Sequence, residues 1–128
     1  MLKGSRGILS YLKRKKYKLA VASNRPTAFS RIIIKQLRLG NYLSYLLCAD
    51  KLRKGKPHPE ILRRIMRRFG ALPEETVFVG DMPIDAQAAK RAGVRSVIVS
   101  TGSGALKEIR REKPYLALRD IAGLKAFL

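Results

Sequence analysis

The sequence predicts an α/β protein: a Rossmann-like, doubly wound parallel sheet with helices on both faces. Three observations carry that prediction. Helical-period and short extended apolar segments alternate along the chain. The extended segments consist almost wholly of Ala, Val, Ile and Leu, the composition of parallel strands covered by helices on both sides. Polar residues then recur where those segments end, at Ser23-Asn24, Asp50-Lys51, Gly80-Asp81 and Ser100-Thr101. In sheets of this kind ligands bind at the carboxyl ends of the strands, so these positions are the ones the sequence nominates.

Taken in order, Ile8, Leu9 and Leu12 stand at helical spacing and predict a first helix, and Lys18–Ser23 reads as the strand that follows. Pro26-Thr27 opens a second helix whose broad apolar face contains Phe29, Ile32, Ile33 and Leu37, with Gly40 as a stop. Leu43–Ala49 is a second strand. Pro59 starts a strongly amphipathic helix reaching Phe69, in which Ile61-Leu62 and Ile65-Met66 alternate with arginine pairs, and Gly70 ends it. Thr76–Val79 is a third strand, Ile84–Ala92 a small Ala-rich helix stopped by Gly93, and Val94–Ser100 a fourth strand. The tail predicts a short helix at Leu106–Arg111, an extended piece at Tyr115–Leu118 and a last helix over Asp120–Phe127.

At 128 residues and 46% hydrophobic content the chain holds one domain, residues 1–128, with a modest core. No apolar stretch approaches the ~18 residues of a membrane span, and residues 1–12 lack the apolar centre of a signal peptide. A cytoplasmic protein with no membrane partner is the expectation. Cys48, the only cysteine, has no partner for a disulfide or zinc site and reads as a small buried hydrophobe. The net charge of +19 suggests weak, nonspecific polyanion binding. Basic residues are nevertheless spread over the chain without zinc-finger spacing or an RNA-binding aromatic motif, the pattern of solvated helix faces.

The sharpest chemical feature is Gly80-Asp81 with Asp85. A glycine after a strand lets one carboxylate turn toward the strand tips while the second enters on the next helix, and such a pair suits Mg²⁺. The same residues also suit a turn and a helix start favoured by the dipole. Ser23-Asn24 offers a hydroxyl and backbone N–H groups to an anion, or a helix cap. Lys54 and Lys56 precede a proline-fixed helix start, where one ammonium can be aimed at a phosphate. His58, between Pro57 and Pro59, belongs to that helix start. Residues 100–104 (STGSG) offer a loop for an anion but lack the Gly-Lys-Ser/Thr ending of a P-loop.

Together, Val21-Ala22-Ser23-Asn24-Arg25, Gly55-Lys56-Pro57-His58-Pro59-Glu60, Val77-Phe78-Val79-Gly80-Asp81 with Asp85, and Ala88-Ala89-Lys90-Arg91-Ala92-Gly93 resemble the haloacid dehalogenase superfamily, nearest its phosphoglycolate phosphatase-like branch. The resemblance implies a Mg²⁺-dependent phosphatase acting on a small phosphorylated metabolite. It implies that Ser23 and Asn24 bind the phosphoryl group, that Lys56 neutralises its charge, and that Asp81 and Asp85 hold the metal. Donors and cations at the equatorial oxygens are what phosphoryl transfer requires.

The chain also departs from that pattern. The superfamily's nucleophile and acid/base partner are the aspartates of a DxD motif on the first core strand, followed by a cap. Here the aspartates are Asp50, Asp81, Asp85 and Asp120, and no DxD occurs. The expectation is therefore a partial core, beginning where the superfamily's core resumes after the cap and inactive by itself for want of the nucleophile. A complementing N-terminal segment or self-association would fill the place of the missing strand. A non-enzymatic basic module binding RNA or another polyanion on the same scaffold is the alternative.

Overall fold

The computed structural model describes residues 4–100 and 106–128. Its elements run α1 (Ser5–Arg14), β1 (Ala20–Ser23), α2 (Thr27–Gln36), β2 (Tyr45–Cys48), α3 (Glu60–Phe69), β3 (Val77–Gly80), α4 (Pro83–Ala92), β4 (Arg95–Val99), α5 (Leu106–Arg111), β5 (Leu116–Leu118) and α6 (Leu124–Phe127). Short 3₁₀ turns follow β2 at Ala49–Lys51, precede β3 at Pro73–Glu75 and precede α6 at Ile121–Gly123. The alternation of elements matches the prediction. No helix among the described residues is long and apolar enough to cross a membrane.

All strand pairs are parallel, but they form two sheets. One is β1-β2, with Ala20 opposite Tyr45 and Ser23 opposite Cys48. The other is β3-β4-β5, with Val77 opposite Arg95 and Val97 opposite Leu116. Among the described residues no backbone ladder joins β1 to β3.

Helices bind the two sheets together instead. On one face Ile8 and Leu12 of α1 form a core with Val97 and Leu124, and Leu19, Val77 and Val79 pack against it. On the other, Ile61, Leu62 and Met66 of α3 and Ala88, Ala89 and Ala92 of α4 enclose Leu47, with Ala22 of β1 and Phe78 of β3 against them. The second core therefore touches both sheets, while the first reaches the β1-β2 side only at Leu19, the residue before β1. Cys48 is fully buried, as its reading as a hydrophobe requires.

Three expectations change. Strands covered on both faces were expected throughout, and residues 96–99 of β4 are buried accordingly, whereas β1 and β3 are only half-buried along their length. Among the described residues each of those two strands has an edge without a neighbour, and a strand at an edge keeps part of its backbone in contact with solvent. α2 packs on β2 and the turn after it, and of its expected apolar face Phe29 and Ile32 remain 48% and 54% exposed while Ser30 is buried. Finally, the helix expected over Asp120–Phe127 is broken: Asp120 accepts from the Ala122 N–H at 2.9 Å, caps a 3₁₀ turn, and α6 begins only at Leu124.

Candidate functional site at the strand tips

The carboxyl ends of β1 and β3 are joined by one hydrogen-bonded network. The Asn24 side chain, just beyond β1, bonds twice to the backbone of Lys56: its amide nitrogen donates to the Lys56 carbonyl at 2.9 Å and its oxygen accepts from the Lys56 N–H at 2.8 Å. The Lys56 ammonium donates to Oδ1 of Asp85 at 2.6 Å, with side-chain exposures of 11% and 4%. It also lies 5.5 Å from the centroid of the Phe78 ring on β3. Oδ2 of Asp85 accepts from the N–H groups of Asp81 and Met82, each at 3.1 Å. A buried carboxylate is stable only when paired and bonded, and here both oxygens are.

Two glycines make this closeness possible. A Cβ on Gly55 would stand 2.6 Å from Oδ1 of Asn24, and one on Gly80 would stand 2.4 Å from Asp85. Both positions lie where side chains fold back against the main chain, which only glycine leaves open.

Ser23 ends β1, and its hydroxyl oxygen accepts from the Arg25 N–H at 3.1 Å. A hydroxyl that accepts this way still carries its own proton for an anion. Next to it, Asp50 accepts from the Thr27 hydroxyl at 2.6 Å and from the Thr27 N–H at 3.2 Å, fixing the first residue of α2 to the tip of β2. The Thr27 hydroxyl bond, with the smaller help of backbone N–H bonds and of Lys51, holds the Asp50 carboxyl below its ordinary range despite the opposing effect of desolvation. His58 Nδ1 accepts from the Glu60 N–H at 3.2 Å, so it serves the start of α3 as expected. Lys54 is exposed.

The carboxylates expected to hold Mg²⁺ differ in their surroundings. Asp81 is exposed, and no hydrogen bond or ion pair of the described residues engages its carboxylate. Asp85 already receives three bonds; of the roughly four lone-pair directions of a carboxylate, about one remains. Among the described residues no cluster of three or more His, Cys, Asp or Glu exists. The pair fits a Mg²⁺ that takes one or two carboxylates and completes its shell with water and substrate phosphate.

The structure thus brings Asn24, Lys56, Asp81 and Asp85 into one network, with Ser23 adjoining it through Asn24. Of the glycine-rich loop after β4, residues 101–104 lie outside the described residues. Sequence reasoning missed the Asn24–Lys56 amide pairing and the Thr27–Asp50 bond. The second was open to detection: parallel neighbours end side by side, so the helix after β1 starts beside the tip of β2.

Comparison with known proteins identifies relatives of the chain and of its fold. A family model described as haloacid dehalogenase-like hydrolase matches residues 1–99. The phosphoglycolate phosphatase of Pseudomonas putida is 33% identical over 121 residues, covering 94% of this chain and 44% of that protein. Phosphoglycolate phosphatase 1 of Pseudomonas aeruginosa is 34% identical over 116 residues, covering 91% of this chain and 43% of its own length. The chain thus spans less than half the length of these curated relatives. Among solved structures, one described as a predicted phosphoglycolate phosphatase from Haemophilus somnus superposes with a TM-score of 0.92 at 29% identity, over 98% of this chain and 56% of that one. A subfamily IA hydrolase of the same superfamily from Geobacter sulfurreducens superposes at 0.83 with 28% identity, over 100% and 61%.

Proposed function

The chain belongs to the haloacid dehalogenase-like hydrolase family, and we propose that it supplies the phosphoryl-binding half of a phosphatase acting on a small phosphomonoester of the phosphoglycolate kind. The observation that supports this most is the network Asn24–Lys56–Asp85–Asp81, which aims a cation and an open carboxylate at the strand tips beside the Ser23 hydroxyl. Ser23 donates its proton to a phosphoryl oxygen. Lys56, oriented by Phe78 and Asp85, balances the charge on that oxygen and on the attacking group. Asn24 fixes the backbone from which Lys56 reaches.

A bound Mg²⁺ would supply positive charge at the phosphoryl oxygens. The exposed Asp81 carboxylate would hold it, while Asp85 holds the Asp81 backbone in place and would offer its remaining lone pair.

None of the 128 residues forms the DxD pair that the resemblance requires for attack. The proposal therefore includes a second element: an extended segment carrying that pair, on this polypeptide or another, lying between β1 and β3. The seam suits such a segment because, among the described residues, neither β1 nor β3 has a strand partner on that side, and α1 packs on Val77 and Val79 of β3 while α3 and α4 pack on Ala22 and Phe78. Release of phosphate from 2-phosphoglycolate with Mg²⁺ tests the reading. The 128-residue chain alone is expected to give none above background, and adding the DxD segment to give turnover that Lys56→Ala and Asp81→Asn abolish. Turnover by the chain alone that Asp81→Asn removes would overturn the need for the segment, and no turnover with the segment bound would overturn the assignment of activity.

A further inference from the structure

A second surface lies along the outer edge of β2, away from the strand tips. There α2 and the turn after it wall a groove of about 680 Å³. Arg31 and Lys35 line it one helical turn apart, ~6 Å along the axis. Arg38 joins them from the turn, with Asn41, and Ile34 and Leu46 give the groove an apolar side. All three basic residues are exposed, and no carboxylate lines the groove. Indeed the first acidic residue in the chain is Asp50. Among the described residues, ion pairs engage only Lys56 and Arg64, so the charge here is not cancelled internally. The positive surface also continues past Asn41. Lys13 of α1 donates to the Asn41 carbonyl and stands 5.9 Å from the centroid of the Tyr42 ring, and residues 13–16 are all basic.

We propose that this groove binds the phosphate backbone of single-stranded nucleic acid. Cations at regular intervals in a recess match a flexible chain with a negative charge at every repeat, and arginine forks match phosphate oxygens two at a time. An acidic peptide carries its charges at no fixed interval. The ring that lines the groove, Tyr45, carries Arg68 over one face at 5.2 Å and meets Phe69 edge to face at 6.3 Å, so cations outnumber stacking platforms here. Binding is therefore directed at the backbone and indifferent to sequence. It uses none of Ser23, Lys56 or Asp81, and so is independent of the phosphatase reading.

Fluorescence anisotropy with a short labelled oligouridylate tests this against two triple variants of equal charge. Arg31→Gln/Lys35→Gln/Arg38→Gln empties the groove, and Lys107→Gln/Arg110→Gln/Arg111→Gln removes the same charge from α5, at exposed positions outside it. The groove variant is expected to weaken binding at least about tenfold at low salt and to reduce the salt slope by about 2, at ~0.7 per lost phosphate contact. The α5 variant should stay within about twofold of the parent. Equal losses in both variants would mean net charge alone, and that overturns the proposal. Tighter binding to duplex DNA, to phosphatidylserine vesicles or to polyglutamate than to the oligouridylate overturns it as well. Circular dichroism checks that each variant folds, and Lys35→Glu alone, on an exposed position of α2, replaces the groove triple if that unfolds.

Discussion

The Lys56 ammonium lies 2.6 Å from Oδ1 of Asp85, with both side chains nearly withdrawn from solvent. One ion pair thereby ties the loop that leads into α3 to the first turn of α4, across the line where no backbone ladder connects β1 and β3. The pair therefore has a structural task as well as a chemical one.

Removing one member should be costly. Lys56→Met leaves a buried carboxylate without its cation and is expected to lower unfolding stability by about 3–5 kcal/mol. Combining it with Asp85→Asn removes the stranded charge while keeping an oxygen for the N–H groups of Asp81 and Met82, and should recover part of that loss. Urea denaturation of the parent, both single variants and the double variant measures the coupling; additive losses would show that the pair is not coupled.

Glycine substitutions should divide by location. Gly80→Ala and Gly55→Ala place a Cβ inside the packed positions of Asp85 and Asn24, and each is expected to destabilise by about 1–3 kcal/mol. Gly7→Ala, in α1 with nothing within 4 Å of the new Cβ, should stabilise by about 0.5–1 kcal/mol. Thermal melts of the three variants check the signs.

The seam between β1 and β3 should respond to a strand. A peptide carrying the DxD segment should bind the folded state alone and raise the melting temperature, with about 2.7 kcal/mol of stabilisation at a hundredfold excess over its Kd. Differential scanning fluorimetry reads the shift. A second copy of the chain competing for the same edges would appear as a dimer in sedimentation that the peptide dissolves. A stable monomer indifferent to the peptide would refute the vacancy.

The Asp50 carboxyl should titrate below an ordinary aspartate, because its charged form accepts from Thr27. A lowered folded-state pKa stabilises the fold above the unfolded-state value and loses that contribution as pH falls through the folded-state value. The attachment of α2 to the β2 tip is therefore expected to loosen only below the usual carboxylate range. Carbon-detected NMR of Asp50 measures this, and Thr27→Ala should move the midpoint back up.

Much of the architecture was legible because it rests on local rules. Composition located β1, β2, β3 and β4 to within a few residues, and proline and glycine punctuation located α3 and α4. The strand tips were legible for the same reason, since polar residues after apolar runs can hardly be elsewhere. What was not legible depends on contacts distant in sequence. Nothing near Phe29 or Ile32 tells how much sheet lies beneath α2. Nor does the segment around Asn24 announce that its amide will hold the backbone of Lys56, some thirty residues later. The break before α6 was local, but Asp120 acts as a cap only when its side chain turns back on Ala122.

The separation of the sheet into two leaves also has a mechanical side. A seam crossed by side-chain packing and a few side-chain bonds, with no backbone ladder among the described residues, has fewer bonds to resist a load than either ladder-bonded leaf. Force applied across it loads the polar links between α4 and the loop before α3, Lys56 to Asp85 and Arg91 to Pro57. Opening of the seam and displacement of the Lys56 ammonium are then one motion, so whatever clamps the leaves together also sets the aim of Lys56.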